Sequence, residues 1–206
     1  MRNSINLSLF LLCSFIGLMV AISPSGAQAT NSDGPWSATL YGGPSSDKFI
    51  TKFYRDGNLE PDGGMVALAV DRRLATLGWG LTFEGEGQVV QSTAHGQGDT
   101  VFALGIGFRF HDFPWSDRLP TSLAVYSGPS YATSPPASGI GNEDQPIAFR
   151  RVRYLNYVSV EFAMAIPGTD NFDGVFRMFH RSGMYGLYSS APDTSTAFGL
   201  GLRTRF

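Results

Sequence analysis

Cysteine, charge and long apolar runs are all scarce in this chain, and each scarcity excludes something. Its 206 residues contain one cysteine, Cys13, in a leader expected to be removed. That excludes a disulfide scaffold, a cysteine nucleophile and a zinc–thiolate site. Charged residues make up 16% and the formal net charge is −2. Acids and bases are scattered, so no basic block marks a nucleic-acid partner. Past the leader, no apolar stretch approaches the ~20 residues of a membrane-spanning helix.

The leader is residues 1–29. Arg2 gives a charged start, Leu7 to Ile22 is apolar-leaning, and Ala27-Gln28-Ala29 has the small-residue pattern of a signal-peptidase site. Leu12 precedes Cys13 and the apolar run continues past it, which makes Cys13 a poor lipoprotein site. The expected mature chain starts at Thr30, and residues 30–206 form one domain. A secretory signal with no second helix implies export across the inner membrane without anchoring there.

What the chain does have is 25 glycines, 16 phenylalanines and 8 tyrosines, a composition that favours strands and turns. Apolar residues recur with period two. The runs are Trp36–Leu40, Val66–Val70, Leu77–Phe83, Phe102–Phe110, Val158–Ile166 and Phe198–Phe206. Two less regular strands, near 119–129 and 173–182, bring the count to eight. Phe, Trp, Leu and Ile crowd one face, while the other carries Gly, Ala and single charges. A soluble barrel of the lipocalin kind would put Lys and Glu on its outer face. The reverse arrangement fits lipid outside and a narrow, side-chain-filled interior. The expected fold is all-β: an eight-stranded antiparallel transmembrane β-barrel of the bacterial outer membrane.

The connections alternate as such a barrel requires. Residues 42–62, 85–98, 130–149 and 183–194 read as long external loops, and 72–74, 112–118 and 167–172 as short periplasmic turns. Phe206 closes the last strand with a terminal aromatic. It resembles the signal by which outer-membrane barrels engage the barrel-assembly machinery. Glu84, Arg109, Arg153, Glu161, Arg177, Arg203 and Arg205 are expected inside, where charges need partners. Glu161 and Arg177, on neighbouring strands, are the expected pair.

Three histidines follow the leader. His95 reads as a solvated loop residue, and His111 as an interfacial residue beside Asp112 and Trp115. His180 stands two residues before Ser182 in Phe179-His180-Arg181-Ser182. On a strand the two share a face, with Cα atoms roughly 6.5 Å apart. A base beside a hydroxyl is the minimum for a serine nucleophile. By parity the pair faces lipid with Phe176 and Met178, near the outer-leaflet headgroups, where ionisable groups point to function.

This stretch resembles the lipid A 3-O-deacylase family of outer-membrane barrels, which carry a His-x-Ser motif late in the penultimate strand. The resemblance implies Ser182 as nucleophile and His180 as base, acting on an ester-linked acyl chain of lipopolysaccharide without a cofactor. It also implies an acid about a dozen residues further on to orient the histidine. Two positions depart from the family pattern. Gly183 stands where the family has Asn after the serine. The expected acid position falls near Thr194, with Asp193 the nearest carboxylate. Asn142-Glu143-Asp144 is a poor calcium ligand set. A second reading stays open: a non-enzymatic barrel, an adhesin or surface-structural protein or an inactive relative, working through its external loops.

Overall fold

The computed structural model describes residues 34–46, 61, 63–94, 97–134, 153–184, 187–188 and 195–206. The leader with Thr30, His95, Asp193 and Asn142-Glu143-Asp144 lie outside them. Eight strands follow in order: β1 (Trp36–Ser46), β2 (Gly63–Gly78), β3 (Leu81–Ala94), β4 (Gln97–Phe110), β5 (Thr121–Ala132), β6 (Tyr154–Ala165), β7 (Phe172–Ser182) and β8 (Ser195–Arg205). Each pairs antiparallel with its neighbour, and β1 pairs with β8 to close the barrel. Closure leaves no free sheet edge, so every strand finds hydrogen-bond partners on both sides. Phe206 extends the seam: it exchanges backbone hydrogen bonds with Trp36, at 3.0 and 3.1 Å.

The register fixes the shape. Directly paired residues can be followed once around from Trp36 through Arg72, Gly85, Ile106, Ser127, Val158, His180 and Thr196. The path re-enters β1 at Ser46, ten residues from its start. For eight strands this stagger tilts them by about 40° from the barrel axis.

Parity then sorts the side chains. Leu40, Leu68, Leu104, Ile106, Phe108, Phe176, Leu200 and Leu202 are exposed on the outer surface, Leu104 at 67%. Such an exterior suits hydrocarbon rather than water. The interior holds Tyr41, Glu84, Glu86, Arg109, Tyr126, Tyr157, Glu161, Arg177 and Arg203, all buried. Glycines make the room. A Cβ at Gly105 would strike the Tyr157 hydroxyl, so the smallest residue on β4 accommodates a large one on β6.

Most of the interior charges meet in one cluster. Glu161 meets Arg109 at 2.8 Å, Arg177 at 3.1 Å and Arg203 at 3.2 Å. Glu84 binds Arg109 at 2.9 Å, and Glu86 pairs with Arg177. Asp173 binds Arg203 at 2.8 Å and Arg205 at 3.3 Å. The expected Glu161–Arg177 pair is present, one contact of a larger cluster. Arg153 departs from expectation. It precedes β6, is exposed, and donates to the Tyr131 hydroxyl on the outer face at 3.4 Å.

Two expected connections also move. Residues 85–98 are mostly strand, because β3 runs on to Ala94 and β4 begins at Gln97. Polar Glu86 and Gln88 are not loop residues there; they are buried in the interior. The expected turn at 72–74 lies inside β2, and the chain reverses instead at Trp79-Gly80. Gly78, Trp79 and Gly80 take φ of 89°, 53° and 66°, the left-handed values of a tight hairpin turn.

Candidate active site on the outer face

β7 carries the sequence Phe172–Ser182, in which Asp173, Val175, Arg177, Phe179 and Arg181 are buried inward. His180 and Ser182 therefore take the outward parity with Phe176, as the alternation predicts. They lie at the strand's last residues, on the end of the barrel with the long connections. His180 is only 9% exposed, although its face is the exposed one. The burial comes with polar company.

Cross-strand register assembles that company. His180 is paired with Thr196 on β8, and its Nδ1 lies 2.9 Å from the Thr196 hydroxyl oxygen. Thr196 is in turn opposite Ser46 on β1. On the other side Ser182 is paired with Asn156 on β6. The Asn156 Oδ1 accepts from the Ser127 hydroxyl on β5 at 3.3 Å. Ser127, Asn156, Ser182, His180 and Thr196 thus form a polar band over four adjacent strands, with apolar exterior below it. The hydrogen bond that the described residues give His180 is the one to Thr196, not to Ser182.

The chain turns sharply after Ser182. Met184 takes a left-handed φ of 49°, a costly value for a side chain of its size. The Tyr188 N–H donates to the Gly183 carbonyl and the Leu187 N–H to the Met184 carbonyl, both at 3.1 Å. The Tyr188 ring then comes over Tyr154 on β6, with centroids 6.0 Å apart. Tyr131, directly paired with Tyr154, completes an aromatic rim above the band. Rims of this kind mark the level where hydrocarbon meets headgroups.

Of the residues singled out from sequence, His180 and Ser182 come together on one face, and Asp193 lies outside the described residues. Thr196 and Asn156 escaped the sequence reading. Neither belongs to a local motif, and only the β6–β7–β8 register brings them beside the pair. His111 sits just past β4, where its Nε2 is 3.4 Å from the Thr82 hydroxyl oxygen. Burial, reinforced by the nearby Arg109 guanidinium, pushes its imidazole down to about 3. It is remote from the band, at the opposite end of the barrel. Among the described residues no cluster of His, Cys, Asp and Glu could hold a metal ion.

No protein-family model and no curated protein sequence matches the chain. Among solved structures, one described as "Crystal structure of the outer membrane enzyme PagL" superposes with a TM-score of 0.56. The match covers 82% of this chain and 99% of that one, at 10% sequence identity. The likeness is one of fold.

Proposed function

We propose that the protein is an outer-membrane esterase that removes an ester-linked acyl chain from the lipid A of lipopolysaccharide. One observation carries the reading: a polar band containing a histidine and a serine at the rim of an otherwise apolar exterior. Polar groups facing lipid are costly and mark sites of function. An ester bond of the outer leaflet would lie at this level. Residues 1–29 direct export, and Phe206 hands the chain to the barrel-assembly machinery.

In this mechanism Ser182 Oγ attacks the ester carbonyl while His180 takes its proton. The tetrahedral intermediate collapses, the C–O bond to the sugar breaks, and His180 returns the proton to the leaving alkoxide. Water then repeats the sequence on the acyl-enzyme, releasing a fatty acid. Thr196 at Nδ1 holds the ring's orientation, and in the tautomer whose Nδ1–H donates to the Thr196 hydroxyl oxygen Nε2 acts as the base. The Ser182–His180 hydrogen bond forms when substrate binds, as catalytic contacts often tighten only in the complex. No cofactor enters this chemistry.

The second reading, a non-enzymatic surface barrel, is favoured by Gly183, which stands where the resembled family has Asn after the serine. Mass spectrometry of lipid A from cells making the protein separates the two. The esterase produces lipid A lighter by one acyl chain, and a structural barrel leaves it unchanged.

A further inference from the structure

An ester hydrolysed by a serine places negative charge on the former carbonyl oxygen, and a donor aimed at that oxygen is usually a large part of the catalysis. Gly183, following Ser182, has no side chain to offer. Resting on the esterase reading, we propose that Asn156 supplies this donor, its Nδ2 stabilising the oxyanion formed at Ser182.

Three observations carry it. First, Asn156 and Ser182 are directly paired across β6 and β7. Residues so paired share a face, with Cβ atoms roughly 5 Å apart. A carboxamide there reaches the space beside the serine oxygen, on the side away from the β8 neighbour of His180. Second, the amide is oriented. Its Oδ1 accepts from Ser127 on β5, the strand on the far side of β6 from Ser182. With the oxygen engaged on the β5 side, the amide can present Nδ2 on the β7 side. Third, Asn156 is 2% exposed on the outward face, and the hydrogen bond its side chain makes among the described residues is the Oδ1 contact with Ser127. On an exterior otherwise built of Val158, Val160 and Phe162, a polar side chain held this way is suited to an acceptor that arrives with the substrate. Ser127 is then a positioning residue: it touches the amide, not the ester.

The test uses the full-length protein, isolated from membranes in detergent, with purified lipopolysaccharide as substrate and fatty-acid release as readout. Asn156→Asp keeps the shape and replaces the donor by an anion; Asn156→Ala removes the group. Both should lower kcat on the order of 10²-fold, with KM within a few-fold and the heat-dependent shift of the folded barrel on gels unchanged. Ser127→Ala should lower kcat less, again without moving KM. If the wild type releases fatty acid and Asn156→Asp keeps kcat within about three-fold, the assignment of Asn156 is overturned and the esterase reading stands. If an Asn156 variant raises KM alone, Asn156 holds substrate rather than the oxyanion, and the assignment is likewise overturned. If the wild type releases no fatty acid, the esterase reading falls and Asn156 with it.

Discussion

Arg177 and His180 stand three residues apart on β7 and face opposite ways. Arg177 points into the barrel, where Glu86 and Glu161 neutralise it. His180 points out, toward the Thr196 hydroxyl. The interior ion pairs interlock: Glu161 alone meets Arg109, Arg177 and Arg203, so removing it strands the others. The outer band has no such necessity. Leu, Val or Phe at positions 127, 156, 180, 182 and 196 would suit a lipid-facing surface better. The contrast separates polar residues that hold the fold from polar residues the fold does not need, and it predicts opposite mutational behaviour.

The largest effect is expected in the outer band, on activity alone. Ser182→Ala should abolish deacylation of lipid A, a loss of 10³-fold or more in kcat, while the barrel unfolds at the same urea concentration as the wild type. His180→Asn should do nearly the same, because the hydroxyl loses its base. Full activity in Ser182→Ala would exclude Ser182 as the nucleophile and leave the outer band without a catalytic role.

The next effect belongs to the interior and reads on stability. Glu161→Leu leaves Arg109, Arg177 and Arg203 short of a shared carboxylate. Leaving buried charge uncompensated should cost about 3–5 kcal/mol, seen as a lower urea midpoint for unfolding in detergent or lipid. An unchanged midpoint would show that the remaining acids compensate, and that the interior is less constrained than its geometry implies.

How far the sequence foretold all this differs between the two regions. Parity along single strands was readable, because each strand buries alternate residues whatever its neighbours do; Glu161, Arg177, His180 and Ser182 all face as expected. Strand ends were harder. In a barrel with its polar side inward, Glu86 and Gln88 look like loop residues, and the pattern hides the second half of β3. Residues 72–74, Arg72-Arg73-Leu74, read as a turn, while the actual reversal lies in the apolar run around Trp79. Register around the barrel was not readable at all. Thr196 and Asn156 reach the His-Ser pair only through which residue faces which across β6, β7 and β8, and a single strand's pattern carries no such information.

Thr196→Val tests that register-borne part. It keeps the shape at His180 Nδ1 and removes the hydrogen-bonding oxygen. A neutral hydrogen bond is worth about 0.5–1.5 kcal/mol, so kcat should fall by roughly ten-fold or less, with KM unchanged. Asp193→Ala should also reduce kcat by less than Ser182→Ala, since an orienting acid usually contributes less than the nucleophile. A loss in Asp193→Ala as large as in Ser182→Ala would make the carboxylate, not Thr196, the group that orients His180.

The smallest effect returns to the fold, at the end of the barrel with short turns. His111 lies beyond β4, and burial next to Arg109 pushes its imidazole down to about 3, from an ordinary value of 6.5. The Arg203 and Arg73 charges act in the same direction, and Glu84 opposes them. Between those two values the unfolded chain binds a proton at His111 that the folded barrel does not. Stability therefore rises with pH across this window and is lost as pH falls from about 6.5 toward 3. His111→Gln keeps a partner for Thr82 and removes the titration. The urea midpoint of the wild type should drop between pH 7.5 and pH 5, and that of His111→Gln should drop less. Deacylation by the two proteins at pH 7.5 should be equal, because His111 is at the far end of the barrel from Ser182. A variant whose midpoint falls as steeply as the wild type's would assign the acid sensitivity to the interior carboxylates instead. The charge cluster would then govern the pH response of the fold as well as its stability.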